Sequence, residues 1–122
     1  MPSFSVEVID RSPAVVLRLI GEARIDVGAL DMQVTRLLAR RPSLVVLDLS
    51  ALTFCSSLGM GCIVSLRRSL ERSHCKTRLA AVHPDVLDSL KRAVILPLFE
   101  VFPTVDEAIA APLTSVAAPN VT

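Results

Sequence analysis

Apolar and polar positions alternate at the start of the chain, which is typical of strands with one buried face. Residues 4–9 alternate in this way, and residues 10–13 interrupt the pattern with polar side chains and a proline. A second apolar run, rich in β-branched side chains, covers residues 14–20 and ends at Gly21. Two strands joined by so short a turn predict a β-hairpin.

From residue 26 the spacing of the apolar positions changes to that of a helix. Between residues 26 and 40 apolar side chains recur every three or four positions, as an amphipathic helix requires. Asp26 is the expected N-cap, and Pro42 follows the expected end of the helix. Residues 44–49 are apolar almost throughout, which predicts a strand buried on both faces in the middle of a sheet.

Three further helices and two further strands are predicted after a polar connection over residues 50–57. The first of these helices has its predicted buried positions at Leu58, Cys62, Ile63, Leu66 and Leu70. Residues 77–82 and 99–102 predict strands. Pro84 begins a helix that runs to about residue 93, and Thr104 caps a last helix over residues 105–110.

Strands and helices alternate in this order, which predicts an α/β fold. Because crossover connections between parallel strands are right-handed, we expect a mixed, mostly parallel sheet of about five strands with helices mainly on one side. Residues 1–110 form this domain. Residues 111–122 are rich in Pro, Ala, Ser and Thr without periodicity, and we expect a disordered C-terminal tail there.

Composition and charge argue against nucleic acid as a partner. The chain has 122 residues, with 13 Lys and Arg against 12 Asp and Glu, a net charge of +1, and 3% aromatic residues. Phosphate backbones attract concentrated positive charge, and single strands stack on aromatic rings. Excess positive charge and aromatic side chains are both scarce in this sequence.

The same sequence predicts a cytoplasmic protein without catalytic machinery. No apolar segment reaches the roughly 20 residues of a membrane span, and the N-terminus lacks the basic region of a signal peptide. The three cysteines have neither disulfide nor zinc spacing, so we expect free thiols in a reducing compartment. No set of nucleophile, base and orienting residue stands out, and we expect no enzyme activity, cofactor or bound metal.

Residues 48–61 hold the main candidate site. A buried strand ends there, a connection follows, and a helix starts near Ser57. A helix N-terminus presents unpaired N–H groups and the positive end of the helix dipole, which receive a phosphate well. Ser57 is therefore either only an N-cap, a role that serine fills well, or a phosphate acceptor.

This stretch resembles the signature of the STAS domain, and specifically that of the anti-sigma factor antagonists. The matching residues are Asp48-Leu49-Ser50, Phe54 and Ser57-Leu58-Gly59-Met60-Gly61. Gly21-Glu22 matches part of the family's Gly-Glu-Leu-Asp turn, and the predicted order of strands is the family's as well. The resemblance covers about residues 4 to 110 and implies a STAS-like fold.

The resemblance also implies a switch protein controlled by serine phosphorylation. Ser57 falls on the serine that a partner kinase modifies, and Ser56 is a second candidate. The implied partner is an anti-sigma factor that is itself a serine kinase, and a serine phosphatase resets the switch. The implied contact surface consists of Arg24, Ser56, Ser57, Leu58, Gly59 and Met60, on a monomer or weak dimer.

Three residues depart from the family's pattern. Ser56 and Arg24 stand where the family has Asp, and Leu58 stands where it has a small residue. The two missing carboxylates border the implied phosphorylation site. The alternative is a STAS interaction or ligand-binding module without phosphorylation, such as a subunit of a stress-sensing assembly or a partner of a lipid transporter.

Overall fold

The structure, a computed structural model, describes residues 4–24 and 28–113 of the chain. The strands are β1 (Phe4–Arg11), β2 (Ala14–Ala23), β3 (Leu44–Asp48), β4 (Leu52–Cys55), β5 (Lys76–Ala80) and β6 (Glu100–Phe102). The helices are α1 (Gly28–Arg40), α2 (Ser57–Arg72), α3 (Pro84–Arg92) and α4 (Val105–Ala110), with a single 3₁₀ turn at Leu96–Leu98.

The strands form one mixed sheet. Its order is β1-β2-β3-β5-β6, and β4 pairs with β2 beyond the end of β3. The hairpin of β1 and β2 is antiparallel, and the other strand pairs are parallel. The predicted hairpin, the central position of β3 and the mostly parallel sheet are thereby confirmed.

Helices cover the two faces of the sheet unequally. The larger core lies under α1, α2 and α3, where Leu37, Leu66 and Leu90 pack against sheet residues such as Leu17 and Leu47. The opposite face carries smaller side chains, and α4 covers it through Ala108. The expectation of helices mainly on one side is confirmed.

One strand was missed, and one connection was assigned wrongly. Residues 50–57 were expected to be a polar connection, but β4 occupies Leu52–Cys55 and makes a sixth strand. Only its first and last residues are buried, and its partner is the last part of β2. So short a segment carries too few apolar positions to show the period of a strand.

The buried face of α2 also differs from the expectation. Leu58 was expected in the core, yet 54% of its surface is exposed. The buried residues of this helix are Gly59, Ile63, Leu66 and Leu70. A glycine carries no hydropathy signal, so the pattern placed the neighbouring leucine on the buried face.

The starts of α3 and α4 carry the signals that the sequence predicts. Pro84 occupies the first turn of α3, and the Thr104 side chain accepts a hydrogen bond from the amide of Glu107 at the start of α4. Both predictions are confirmed. Asp26 lies outside the described residues, as does most of the predicted C-terminal tail.

An arginine on β5 ties the end of α4 to the sheet. Arg78 is fully buried. Its guanidinium donates hydrogen bonds to the carbonyl oxygens of Ala108 (2.9 Å), Ala111 (2.7 Å) and Pro112 (2.9 Å), and to Glu100 Oε1 (2.8 Å). The last carbonyls of a helix lack partners within the helix. The Arg78 side chain, which comes from the sheet, supplies hydrogen-bond donors to the carbonyls at the end of α4.

Candidate functional site

The candidate site lies where β2, β4 and α2 come together. Gly21 is opposite Leu52 and Ala23 is opposite Cys55, with an irregular register between Gly21 and Glu22. Arg24 follows β2, and α2 starts two residues after β4 ends. Strand β4, which the sequence pattern did not show, therefore places the start of α2 next to the end of β2.

Ser56 is the N-cap of α2. Its Oγ accepts a hydrogen bond from the amide of Gly59 at 3.1 Å, and its hydroxyl donates one to the carbonyl of Arg24 at 2.9 Å. Its own amide donates to the carbonyl of Ala23 at 2.8 Å. Ser57 was considered as the cap, and that interpretation is wrong because Ser56 takes the role.

Ser57 is the first residue of α2 and is exposed. Within the described residues its hydroxyl has no hydrogen-bond partner. The first turn of α2 carries no acidic side chain, so the positive end of the helix dipole there is not offset by a carboxylate of that turn. The arrangement leaves a free hydroxyl beside a centre that favours negative charge.

Gly59 brings α2 into close contact with β2. A Cβ at this position would lie 2.8 Å from the carbonyl oxygen of Ala23, 3.0 Å from its Cβ and 3.0 Å from Cys55 Sγ. Those distances are shorter than van der Waals contact allows, so only glycine fits without a shift. Gly61 faces open space.

Arg24 is held above the same surface by two contacts. Its Nε donates to Glu22 Oε1 at 2.7 Å, and its guanidinium lies 4.2 Å from the centroid of the Phe54 ring. The arginine, the ring and Leu58 are all exposed. The site therefore presents a cation and apolar surface next to Ser57.

A model of the STAS domain matches residues 4–108, which is most of the chain. The chain belongs to the STAS domain family. STAS domains are generally non-catalytic regulatory modules. A search of curated protein sequences finds no match for this STAS domain.

Solved structures with the same fold include anti-sigma factor antagonists. One from Mycobacterium paratuberculosis is 24% identical over 88% of this chain and 92% of its own, with a TM-score of 0.78. SpoIIAA of Bacillus, in its unphosphorylated form, is 25% identical over 88% of this chain and 93% of its own, with a TM-score of 0.66.

The fold is also shared with a transporter module. The STAS domain of a SulP transporter from Vibrio cholerae is 21% identical over 91% of this chain and 88% of its own, with a TM-score of 0.70. The likeness to this module shows the fold, and the fold alone does not assign a function.

A groove of about 370 Å³ runs from Ser57 along α2 of this STAS domain. Met60 and Val64 form part of its apolar wall, and Arg68 lies toward its far end. Ala93 and Ile95, which follow α3, line the opposite side. The sequence pattern did not associate the segment after α3 with the site, because only the fold brings Ala93 and Ile95 to the groove beside α2.

Burial makes Cys55 a poor nucleophile. It raises the pKa of the Cys55 thiol from 9.0 to about 11, and the neighbouring Cys62 adds to the shift. A thiolate at a helix N-terminus is often stabilised, but desolvation is the larger effect at this position. The thiol of Cys55 packs against Gly59 instead of facing the surface.

No cluster of three or more potential metal ligands occurs among residues 4–24 and 28–113. None of the helices in those ranges is long and apolar enough to cross a membrane.

Proposed function

We propose that this STAS domain is a cytoplasmic anti-sigma factor antagonist controlled by phosphorylation of Ser57. Its unphosphorylated form binds an anti-sigma factor that is also a serine kinase, and thereby releases a sigma factor. The kinase modifies Ser57 and ends the complex, and a serine phosphatase restores the hydroxyl.

The different environments of two adjacent serines carry this proposal. The Ser56 hydroxyl donates to one backbone group and accepts from another, so its modification would break the start of α2. The Ser57 hydroxyl is exposed and has no partner within the described residues. A kinase can reach the second hydroxyl without unfolding the helix, which supports Ser57 over Ser56 as the acceptor.

A phosphate on Ser57 would act on the partner and leave the fold intact. It adds about −1.5 to −2 charges and three acceptor oxygens at the helix N-terminus, where the dipole and free N–H groups stabilise an anion. The same charge would have to lose its water when a partner covers the surface, which is costly without a matching cation. The proposed switch therefore works because the phosphate places negative charge on the surface that the partner has to cover.

The partner-binding residues of this proposal differ in what they contribute. Leu58 and Met60 offer apolar contact, and Arg24 offers a cation beside Phe54. Gly59 is buried and contributes by setting how closely α2 approaches β2. Since the cation replaces the family's carboxylate, we propose that the partner presents an acidic group opposite Arg24.

The first test measures phosphorylation. The protein is incubated with ATP and each purified histidine-kinase-like serine kinase of its organism, and the modified residues are mapped by mass spectrometry. We expect Ser57 to be modified, Ser57→Ala to remain unmodified, and Ser56→Ala to be modified still. Modification of Ser56 alone would contradict the assignment.

The second test measures affinity by calorimetric titration with the kinase that modifies the chain. Ser57→Ala should bind like the parent protein. Ser57→Asp should bind one to two decades more weakly, since a charged contact left unpaired costs about 2–3 kcal/mol. Its melting temperature should be unchanged, because aspartate is favourable in the first turn of a helix. Equal affinity of all three forms would leave an interaction module without a switch.

A third test concerns the missing carboxylate beside Ser57. Aspartate caps a helix about as well as serine, so Ser56→Asp should keep the cap on the Gly59 amide, although it loses the hydrogen bond that Ser56 donates to the Arg24 carbonyl. If the family's carboxylate assists the reaction, this variant is modified faster than the parent by the same kinase. An unchanged rate would show that Ser56 serves this protein equally well.

A further inference from the structure

Val94, directly after α3, is the most exposed large apolar side chain of the described residues. Its exposure is 75%, compared with 57% for Met32 and 54% for Leu58. The neighbouring Ala93 and Ile95 line the groove that starts at Ser57. Val94 itself lines a second, apolar groove with Leu96 and other residues of the segment that leads into β6. It therefore stands on a ridge between two grooves.

The backbone of Val94 is in a conformation that valine disfavours. Its φ is 59°, in the left-handed region, where a β-branched side chain is strained. Its amide donates to the carbonyl of Lys91 and the amide of Ile95 to that of Leu90. These bonds form a Schellman motif, in which this position is usually glycine. Valine is thus the less stable choice here, and its side chain contributes little packing in return.

Two other helix ends show what a non-glycine residue usually does in this position. Arg41 after α1 and His74 after α2 also have positive φ, of 51° and 63°. A basic side chain suits the negative end of a helix dipole, which gives each of them a local role. Val94 carries no charge, so this explanation does not apply to it. A contact with another molecule would account for an exposed valine at this position.

Cations flank Val94 on both sides. Arg68 lines the groove that contains Ser57, and Lys91 lines the second groove. Both are exposed, and neither has an ion-pair partner in the described part of the chain. Asp88, three residues before Lys91 on α3, is already paired with Arg92. Glu100, which precedes Val101 of the second groove, is paired with Arg78 and Lys76. The surface around Val94 is therefore apolar at its centre and positive at its margins.

We infer that Val94 is an anchor for the kinase-type anti-sigma factor, inserted into an apolar pocket of that partner whose rim carries carboxylates for Arg68 and Lys91. This inference rests on the proposed function, because the groove from Ser57 to Ile95 is the surface that connects the two contacts. A partner that covers Ser57 and fills the groove would contact Val94, which lies next to Ile95, a residue in the wall of that groove.

The test is a substitution that improves the fold and weakens the complex. Val94→Gly removes the side chain and relieves the strain of the positive φ at this position. The melting temperature of the variant should therefore be equal to that of the parent or a few degrees higher. Its affinity for the kinase that modifies Ser57 should fall about tenfold, the equivalent of one buried valine side chain. His74→Gly, the same exchange at the end of α2, is the control and should bind like the parent.

Charge reversal tests the margins of the same surface. Arg68→Glu and Lys91→Glu should each weaken binding and reduce its dependence on salt concentration. Arg72→Glu lies on the same helix but lines neither groove, and it should bind like the parent. The rate of Ser57 phosphorylation should also be unchanged in Arg72→Glu, since this residue lies in neither groove.

The outcomes separate this inference from the proposed function. If Ser57→Asp weakens binding while Val94→Gly binds like the parent, the anchor is disproved and the switch remains. Weaker binding of Val94→Gly together with a lower melting temperature would also overturn the anchor, because the residue would then serve the fold. If no kinase binds the parent protein, both fail.

Discussion

Two glycines on α2, two positions apart, have opposite surroundings. Gly59 lies against the carbonyl of Ala23, and Gly61 faces open space. Gly59→Ala should lower the free energy of unfolding by about 1–3 kcal/mol, because a methyl group in a packed contact forces the backbone to move. Gly61→Ala should raise it by about 0.5–1 kcal/mol, since glycine is unfavourable in a helix. Urea unfolding followed by circular dichroism measures both.

The two variants also separate stability from binding. If the close approach of α2 to β2 positions Ser57 and Leu58, Gly59→Ala should weaken partner binding, and Gly61→Ala should affect it only through direct contact in the groove. Equal stabilities for the two variants would show that α2 can move away from β2 at little cost.

The buried thiols give a prediction about pH. Burial raises the pKa of Cys55 and of Cys75 to about 11, so both thiols stay protonated and unreactive at pH 8. Disulfide reagents should therefore react first with Cys62, which is only partly buried. All three thiols should react quickly in denaturant. Fast labelling of Cys55 in the folded protein would contradict its burial.

The same shifts make stability fall at high pH. Unfolded thiols lose their protons near pH 9, whereas the folded protein keeps those of Cys55 and Cys75 until about pH 11. Unfolding releases protons within this range, so the free energy of unfolding decreases as the pH rises through it. Cys75→Ala should reduce that slope relative to the parent, measured by urea unfolding at several pH values.

Among the elements, α4 depends on a single side chain of the sheet. Arg78→Met should lower the free energy of unfolding by about 3 kcal/mol, because it leaves Glu100 and three carbonyl groups without their buried partner. Arg92→Met is the control, since its ion pair with Asp88 is exposed and contributes under about 0.5 kcal/mol. A truncation after Ala110, which removes two of the acceptors, should destabilise more than one after Leu113.

The elements that the sequence predicts are those whose apolar pattern is long enough to show its period or whose ends carry a clear cap residue. The hairpin, α1 and β3 have enough apolar positions to define their buried faces, whereas α4 was predicted from its cap residue Thr104. β4 has four residues and follows the register of β2 rather than a pattern of its own. On α2 the predicted burial of Ile63, Leu66 and Leu70 is confirmed. The predicted burial of Leu58 is wrong, because the close contact at this end of the helix is made by a glycine. Arg78 gave no signal, since its burial depends on carbonyl groups about thirty residues away.

Across the whole molecule, the two cores differ in size and should differ in local stability. β3 lies at the centre of the sheet, between the larger core and the smaller one under α4. Its amides should exchange with solvent most slowly, while those of α4 and the edge strand β1 should exchange sooner. Hydrogen exchange with mass spectrometry resolves these segments. Equal protection of α4 and β3 would show that the smaller core is as stable as the larger.

At this scale the motif indicates where along the chain the candidate site lies, but it carries no information on how deeply its residues are buried. It directed attention to Ser56, Ser57 and the start of α2. It could not tell which serine caps the helix, since both precede the same glycine and the choice depends on the carbonyl of Arg24. Nor could it include Val94, because only the fold brings the segment after α3 to the groove beside α2.

The hairpin has a practical consequence for where anything can be attached to this protein. Phe4 pairs with Gly21, which in turn pairs with Leu52, so the first strand begins at the end of the sheet that leads to Ser56. An affinity tag or a fused domain joined there would crowd any partner on that surface, whereas α4 packs on the opposite face of the sheet. Immobilisation for binding measurements should therefore use the C-terminal end.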